Sequence, residues 1–402
     1  LDPHGEYGQA FGERAVVYRA YDPIGHEQAQ GESIKLPYWL MSADEFRSLA
    51  IGKTEFEATS QNNVIYKAIT YARLVAAGLV NPSPTNYGGA APVDGGNPDD
   101  PRPKEGVEAQ AIVEFDRDKP RPFSLDEMIN HITYLQGARV SKTNTLERIP
   151  DGDFTKNFKS ILDKLAILRR DPRINFLMAN WDADAPTLSE VLTQFISNPQ
   201  TGDNKKKDIR ILDISGLPNE VAGPLAGMLA RLLFQYKLYQ TSDERKKDPI
   251  LLVCEEAHRY VPDRGEAEYA TAQIAIRRIA REGRKYGLSL MLVSQRPADV
   301  ESTVISQCGT WLVLRLTNQA DQQHVARFLP DGLSGMTKVL PNLAQQEAIF
   351  VGEGASLPAR VRIRNLTSHQ LPRSQSAKFA EGWSSLGVSG AELEAIVNRM
   401  VS

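Results

Sequence analysis

The chain has 402 residues, and its 47 Lys and Arg against 50 Asp and Glu give a formal net charge of −3 at pH 7. The apolar fraction of 41% and the charged fraction of 24% are typical of a globular protein and exclude wholesale disorder. A run of about 18 apolar residues is absent, so we expect no membrane-spanning helix and no membrane partner. Two cysteines, Cys254 and Cys308, are too few for a disulfide framework, which favours a reducing compartment and a cytoplasmic location.

Residues 1–50 are interpreted as the N-terminal part of an α/β core. Short apolar runs at 15–18 and 36–40 alternate with polar turns and predict strands. Residues 1–7 are typical of a strand end that enters a loop. Because the sequence lacks a starting Met, we expect it to belong to a longer polypeptide with a further N-terminal part.

Residues 51–207 have a different pattern, which predicts a largely helical insertion. Apolar residues at helical spacing predict helices over 62–79 and 155–169. Between these helices, residues 81–106 contain six Pro and five Gly. Such a segment buries too little apolar surface to order itself, so we predict a flexible loop there.

Strands and helices alternate over residues 208–371, which predicts the remainder of the α/β core. The predicted strands are 209–214, 250–254, 288–293, 311–316, 347–352 and 359–364. The predicted helices are 218–239, 267–282 and 298–307, and a C-terminal tail over 372–402 carries one more at 389–400. Alternation of this kind requires crossover connections, so we predict a mostly parallel sheet that contains the first four of these strands.

Two adjacent carboxylates, Glu255 and Glu256, follow the apolar run 250–254. Acidic groups at the carboxyl end of a buried strand lie where α/β folds bind their ligands. In a nucleotide site the first acid would hold the water shell of Mg²⁺, and the second would orient or deprotonate the attacking water. The alternative is a helix N-terminus, which favours Glu through its dipole alone. His258 has no partner at metal-ligand spacing, so we expect it to pack or hydrogen-bond near the acids.

Gln295 follows the next predicted strand, 288–293, directly after Ser294. If the two strands are neighbours, we expect the side chains of Glu256 and Gln295 to lie within about 10 Å of each other. An amide at this position can hydrogen-bond a γ-phosphate or the attacking water and so sense the state of a nucleotide. A polar cap before the next helix would explain Ser294 but not Gln295.

Three arginines, Arg277, Arg281 and Arg284, lie at i, i+4 and i+7 and share one helical face. A charge run of this kind is usually a solvated face whose cations favour the helix dipole. Beside a phosphate site, one of these arginines can instead be supplied to a neighbouring subunit. The residues alone leave both interpretations open.

Four segments of the chain, taken in order, carry a family pattern. They are 2–7 (DPHGEY), 255–258 (EEAH), 281–287 (REGRKYG) and 294–297 (SQRP). Together they resemble the HerA family of the HerA/FtsK ATPase superfamily. The resemblance implies a RecA-like P-loop NTPase core and a homo-hexameric ring. It also implies ATP-driven movement on double-stranded DNA without sequence specificity, often beside a nuclease.

The resemblance also implies roles for single residues. Glu255 and Glu256 match the Walker B acids, with Glu255 holding Mg²⁺ through water. Gln295 matches the sensor, and Arg281 matches the arginine finger. Asp2 matches an acid on the strand that follows the phosphate-binding helix. The predicted nucleotide contacts are Asp2, His4, Glu6 and Arg284. The implied cofactors are ATP and Mg²⁺.

One departure from the family pattern concerns the phosphate-binding loop. The pattern G-x-x-x-x-G-K-[ST] is absent from the 402 residues. Residues 52–54 (GKT) end with the right letters, but Arg47 stands where the pattern needs its first Gly, and a helical pattern precedes them. In the family the loop lies before the segment that matches 2–7. We therefore expect it before Leu1 and expect the 402 residues alone to bind ATP weakly.

Two functions fit these residues. The first is an ATP-hydrolysing hexameric DNA translocase or helicase motor that works with a nuclease-like partner. The second is an ATPase ring that scaffolds or switches an effector enzyme in an anti-phage defence complex without moving DNA. Both need the same ATPase residues, so the sequence leaves the choice open. The near-neutral net charge does not exclude nucleic acid, because a basic channel can hide inside an average near zero.

Overall fold

The computed structural model describes the chain in separate ranges. They are 1–21, 31–51, 59–83, 101–137, 139–140, 146–147, 158–179, 181, 185–196, 207–263, 270–329, 334–372, 379–384 and 387–401. Most of the predicted loop at 81–106, namely 84–100, lies outside the described residues, and so do residues 52–54.

The chain is an α/β protein with a largely helical segment between its second and fifth strands. The strands are β1 (Ala15–Arg19), β2 (Glu32–Ser33), β3 (Arg139–Val140), β4 (Leu146–Glu147), β5 (Ile209–Asp213), β6 (Ile250–Cys254), β7 (Leu288–Leu292), β8 (Thr310–Val313), β9 (Glu347–Gly352) and β10 (Ala359–Arg362). The first seven helices are α1 (Ala43–Ile51), α2 (Thr59–Ala76), α3 (Ala109–Val113), α4 (Leu125–Gly137), α5 (Ser160–Arg170), α6 (Asn175–Met178) and α7 (Leu188–Thr193). The others are α8 (Asn219–Tyr239), α9 (Ser242–Lys247), α10 (Ala270–Tyr286), α11 (Ser302–Ile305), α12 (Gln319–Ala326), α13 (Ser334–Thr337), α14 (Phe379–Trp383) and α15 (Gly390–Val401).

Two parallel ladders contribute residues to the main core. In the first, β1 lies between β2 and β5, with Val17 opposite Ile211. In the second, β6 pairs with β7, with Cys254 opposite Leu292. Because parallel strands end at the same edge of a ladder, the residues that follow β6 and β7 lie side by side.

The first two residues connect these ladders at their carboxyl ends. The Leu1 nitrogen donates a 2.8 Å hydrogen bond to the Val253 carbonyl oxygen of β6. The Asp2 N–H donates to the Leu212 carbonyl oxygen of β5, and the Asp2 carbonyl oxygen accepts from the Ile214 N–H. Residues 1–2 therefore lie between the ends of β5 and β6.

The prediction that β5, β6, β7 and β8 share one hydrogen-bonded sheet is wrong. β8 pairs with β9, and β9 with β10, in an antiparallel ladder that is separate from the β6–β7 pair. A second apolar cluster, which includes Val313, Leu340 and Ile349, holds β8 and β9 together. Apolar runs predict where strands lie, but they do not determine which strands pair.

The strand predicted at 36–40 is also wrong, because Tyr38–Leu40 form a 3₁₀ helix after Pro37. The Leu40 N–H donates to the Pro37 carbonyl oxygen at 3.0 Å. Trp39 and its two neighbours are at most 1% exposed. Burial on all sides explains the continuous apolar run, and Pro37 lacks the N–H that a ladder would use.

Helices α8 and α10 pack on the β6–β7 ladder. Their backbones approach closely at Gly227, where a Cβ would lie 2.9 Å from the Ala272 nitrogen. Leu252 and Cys254 of β6 are buried in the main core, whereas the alternate residues Leu251 and Val253 are 56% and 37% exposed. The ladder therefore buries one of its two faces.

Helix α10 continues past its predicted end at 282 and runs to Tyr286. Gly283 is buried there, and a Cβ at this position would overlap the Leu288 carbonyl oxygen. Glycine therefore allows the helix to turn directly into β7. No helix among the described ranges combines the length and the apolarity that a bilayer crossing requires.

Buried charges tie α1 and α2 to their surroundings. Glu45 of α1 is 3% exposed and accepts hydrogen bonds from Arg231 of α8 at 2.7 and 2.8 Å. Arg73 of α2 is 2% exposed and donates to the carbonyl oxygens of Met41 and Arg117. Burial of these charges is tolerated because each has hydrogen-bond partners.

Candidate active site

The acids and the amide singled out in the sequence meet at the carboxyl edge of the β6–β7 ladder. Glu255 and Glu256 follow β6 directly. The ladder extends by one more step, since the Val293 N–H donates to the Cys254 carbonyl oxygen at 2.9 Å. Gln295 lies just beyond this step, so the predicted proximity of Glu256 and Gln295 is confirmed.

Glu256 is held by a side-chain hydrogen bond and an unusual backbone. Gln295 Nε2 donates to Glu256 Oε1 at 2.8 Å. The Glu256 backbone is left-handed, with φ 50° and ψ 54°, which costs a residue other than Gly about 1–2 kcal/mol. Glu256 is 8% exposed, whereas Gln295 is exposed to solvent. A strained backbone beneath a buried carboxylate is typical of functional sites.

His258 lies on the other side of the same carboxylate. Its Nδ1 atom is 3.3 Å from Glu256 Oε2 and 3.2 Å from Ser294 Oγ. The contact with Ser294 has hydrogen-bond geometry, whereas Glu256 Oε2 is buried without a hydrogen-bond partner among the described residues. The prediction that His258 hydrogen-bonds near the acids is confirmed.

Glu255 receives a hydrogen bond from the N-terminal segment. The Tyr7 hydroxyl donates to Glu255 Oε1 at 2.6 Å. Burial raises the pKa of Glu255 above its ordinary value, and the Tyr7 hydrogen bond opposes this rise. Burial and the neighbouring Glu255 raise the pKa of Tyr7, so the phenol keeps its proton and acts as the donor at neutral pH.

Asp2 shapes the loop that carries Tyr7. The Asp2 side chain is buried, and its Oδ1 accepts from the N–H groups of His4 and Gly5 at 3.2 and 2.9 Å. Its Oδ2 accepts from the Tyr7 N–H at 3.0 Å. The carboxylate thus binds the backbone of its own loop, while His4 is exposed and Glu6 partly exposed. The nucleotide contacts assigned to Asp2, His4 and Glu6 stay predictions.

Gly5 allows this loop to approach the end of β5. Its φ of +68° lies in the left-handed region, which favours Gly. A Cβ at Gly5 would lie 3.1 Å from both Asp213 Oδ2 and Ser215 Oγ. The loop therefore packs against β5 with little room for a side chain.

The three arginines of the shared helical face have different surroundings. Arg277 Nε donates to both carboxylate oxygens of Glu301 at 2.6 and 2.8 Å. The Arg284 side chain is 93% exposed and lies 3.9 Å from Glu353. Arg281 is exposed, and its side chain makes no hydrogen bond or ion pair with any residue that the structure describes. Arg281 is therefore accessible to a neighbouring molecule, and its role stays a prediction.

The acid pair has the chemistry of a site for a hydrated cation. Glu255 Oε2 and Glu256 Oε2 are both buried and lack hydrogen-bond partners within the described part of the chain. Adjacent carboxylates repel each other unless a cation is near, and Mg²⁺ prefers carboxylate and water oxygens. No group of three His, Cys, Asp or Glu residues that could hold a metal occurs within the described ranges. The protein would thus supply few of the ligands, as in sites where Mg²⁺ is shared with phosphates.

Tyr7 is the site residue that sequence analysis misses. Its position in the DPHGEY segment is a signal, but the sequence gives no indication of its partner. Tyr7 and Glu255 are 248 positions apart. Their contact depends on residues 1–2 lying beside the end of β6.

Parts of this chain are similar in sequence to known proteins. Residues 1–233 match the family described as the central domain of helicase HerA. The DNA double-strand break repair helicase HerA of Pyrococcus furiosus is 39% identical over 117 residues, which cover 29% of this chain and 21% of that protein. The helicase of the same name from Saccharolobus solfataricus is 29% identical over 265 residues, which cover 61% of this chain and 52% of that protein. The chain thus spans about half or less of these relatives' length.

A weaker likeness is to solved structures, among them VirB4 of Thermoanaerobacter pseudethanolicus. It has a TM-score of 0.47 at 11% identity and covers 90% of this chain and 84% of its own. The bacterial conjugative coupling protein TrwB has a TM-score of 0.47 at 13% identity, over 92% of this chain and 80% of its own. The match to the family spans residues 1–233, more than half of the 402 residues, so the chain belongs to the family of the HerA helicase central domain.

Proposed function

We propose that this chain is the motor of an ATP-hydrolysing DNA translocase or helicase. In this proposal it acts as a homo-hexameric ring on double-stranded DNA without sequence specificity, together with a nuclease-like partner. The curated relatives named as DNA double-strand break repair helicases support an ATPase motor. The structural observation that carries the proposal is the contact between Gln295 and Glu256 at the joined ends of β6 and β7.

In the proposed reaction, Glu256 orients the attacking water and accepts its proton as the water oxygen bonds to the γ-phosphorus. The bond between the γ-phosphorus and the β,γ-bridging oxygen breaks in the same step, so that ADP leaves and phosphate is formed. Gln295 Nε2 holds this carboxylate by donating one N–H to Glu256 Oε1. The second N–H and the carbonyl oxygen of the Gln295 amide can then bind phosphate or water. Because Gln295 is exposed and Glu256 is buried, the amide lies on the solvent side of the carboxylate. This arrangement suits a sensor of the nucleotide state.

Glu255 is the residue that would hold Mg²⁺, through a water molecule on its unpartnered Oε2. Bound Mg²⁺ would neutralise charge on the phosphate oxygens. The proposed nucleotide contacts are the loop formed by Asp2, His4 and Glu6, together with Arg284. Hydrolysis is measured on the natural full-length protein.

Arg281 is proposed to act on the nucleotide of a neighbouring subunit. It lies in the last turns of α10, a helix of 17 residues and therefore about 25 Å long. Its side chain is exposed and makes no ion pair within the described residues. An arginine presented in this way supports delivery across a subunit boundary in a ring.

The Glu256→Gln variant tests the proposal. The change keeps the shape of the side chain but removes the base, so we expect ATP turnover to fall by about 10² or more. Binding of a fluorescent ATP analogue should be retained. Glu282→Gln, which changes an exposed carboxylate on α10, is the matched control and should hydrolyse ATP as the wild type does.

Three results would contradict parts of this proposal. Normal turnover in Glu256→Gln would remove Glu256 from the role of base. Hydrolysis that ignores the length of added DNA but requires an effector protein would favour the scaffold function over the motor. A full-length wild-type protein that does not hydrolyse ATP would overturn both functions.

A further inference from the structure

We propose that Tyr7 is a positioning residue, whose hydroxyl orients the Glu255 carboxylate at the carboxyl end of β6. The inference rests on the proposed function, because it gives Glu255 a role that needs a fixed orientation. Tyr7 would not touch the nucleotide, and its effect would pass through the Glu255 carboxylate.

The hydrogen bond between Tyr7 and Glu255 supports this role. The Tyr7 hydroxyl lies 2.6 Å from Glu255 Oε1, a length typical of an O–H donor bound to a carboxylate. Glu255 Oε2 is buried and has no hydrogen-bond partner within the described part of the chain. The phenol therefore occupies one oxygen and leaves the other for a water molecule.

Tyr7 is itself held in place by its own loop. Its N–H donates to Asp2 Oδ2 at 3.0 Å, and Asp2 pairs with the end of β5 through its backbone. Gly5 packs the same loop against Asp213. A continuous set of bonds thus runs from β5 through Asp2 and Tyr7 to Glu255 at the end of β6.

Loss of this hydrogen bond would free the Glu255 carboxylate. Without the phenol, both oxygens of a partly buried carboxylate would lack a fixed donor, and the side chain could rotate. Partners that orient a metal-binding carboxylate typically change metal affinity or activity by about 10–100-fold when removed. We therefore expect an effect of this size from loss of the Tyr7 hydroxyl.

The experiment compares Tyr7→Phe with Tyr236→Phe in the natural full-length protein. Tyr236 is a matched control because its hydroxyl also donates to a carboxylate, Asp248 Oδ2, at 2.8 Å, but Asp248 precedes β6 whereas Glu255 follows it. Tyr7→Phe should lower kcat for ATP about 10-fold and leave KM within twofold. Tyr236→Phe should leave both constants unchanged.

A second readout does not depend on hydrolysis. Binding of Mn²⁺ to the protein in the presence of ADP is measured by electron paramagnetic resonance. Tyr7→Phe should weaken Mn²⁺ binding about 10-fold, and adding Tyr7→Phe to Glu255→Gln should cause no further loss. This double-mutant cycle separates an effect through Glu255 from a general disturbance of the fold.

The outcomes separate the two proposals. If the wild type hydrolyses ATP and Tyr7→Phe equals it in kcat and Mn²⁺ affinity, the positioning role is wrong and the proposed function stands. Equal losses in the wild-type and Glu255→Gln backgrounds would also overturn the positioning role. If the wild type does not hydrolyse ATP, the proposed function fails, whatever the Mn²⁺ cycle shows.

Discussion

The Gln295 amide and the Glu256 carboxylate are joined by a 2.8 Å hydrogen bond across the ends of two paired strands. In the proposed reaction this bond sets the orientation of the base. We expect Gln295→Ala to lower kcat for ATP by about 10²-fold, the usual effect of removing a preorganised donor. Steady-state hydrolysis measures this, with Gln240→Ala as control, since Gln240 also donates to a carboxylate, that of Asp248. Unchanged kcat in Gln295→Ala would contradict the sensor role.

Arg281 can be tested by mixing inactive subunits. Arg281→Ala rings should lose about 10³–10⁵ in rate, the usual effect of removing an arginine finger, and Glu256→Gln rings about 10² or more. In a 1:1 mixture, about one quarter of the interfaces in a head-to-tail ring pair an intact Glu256 with an intact Arg281. Hydrolysis should therefore return to a fraction of the wild-type rate. Lys285→Ala, at the same end of α10, serves as the control and should stay active.

The mixing result has a clear contrary outcome. Should Arg281→Ala rings hydrolyse ATP normally by themselves, the finger assignment is wrong. No recovery in mixed rings that are shown to exchange subunits would argue that Arg281 acts within its own subunit.

The thiol of Cys254 should report the opening of β6. Cys254 is fully buried, and burial raises its pKa from near 9 to about 11. Burial also excludes the reagent, so labelling of the folded protein requires β6 to open, and at pH 8 its rate should be far below the rate in urea. Iodoacetamide labelling in a Cys308→Ser background measures this rate. A native rate equal to that in urea would show that β6 is not protected.

Gly283 should tolerate no side chain. A Cβ there would overlap the Leu288 carbonyl oxygen at the turn from α10 into β7. We expect Gly283→Ala to destabilise the protein by about 1–3 kcal/mol, the usual cost of overpacking, seen as a lower urea midpoint. Gly335→Ala in α13 is the control, because a Cβ added there would meet no atom of the described residues within 4 Å. Equal midpoints for the two variants would contradict the overlap.

Removal of one partner of the Glu45–Arg231 pair should destabilise the protein, because the other charge is then left without its partner. Glu45 is 3% exposed, so Glu45→Ala leaves Arg231 without its charged partner and should cost about 3–5 kcal/mol. Replacing both residues by Leu should cost about 0.5–3 kcal/mol less than the sum of the single Leu changes. Urea unfolding of the four proteins in the cycle tests this, and strict additivity would show that the two side chains are not coupled.

Much of the core could be predicted from apolar runs with charged boundaries. The run 250–254 ends at Glu255, and β6 has these same bounds. The meeting of Glu256 and Gln295 could be predicted as well, because neighbouring parallel strands end at the same edge. The strand predicted at 36–40 is wrong for a physical reason. Apolar side chains favour burial, and here a 3₁₀ helix buries them.

Long-range pairing could not be predicted in the same way. The partner of β8 depends on which apolar surfaces fit together, and the periodicity of apolar residues along the chain does not contain this information. Tyr7 and Glu255 meet only because residues 1–2 lie between β5 and β6. The sequence also does not show whether the Asp2 side chain binds a ligand or its own loop, since either use needs the same carboxylate.

The left-handed backbone of Glu256 affects which substitutions at this position favour the folding stability of the protein. At φ 50° and ψ 54°, glycine fits better than any residue with a Cβ, by about 1 kcal/mol or more. Mutation toward glycine at this position would therefore make the fold more stable and would remove a carboxylate from the strand edge. A lineage that keeps glutamate here does so against its own folding stability, and homologues that have lost hydrolysis should be the ones in which this position has relaxed to glycine or asparagine.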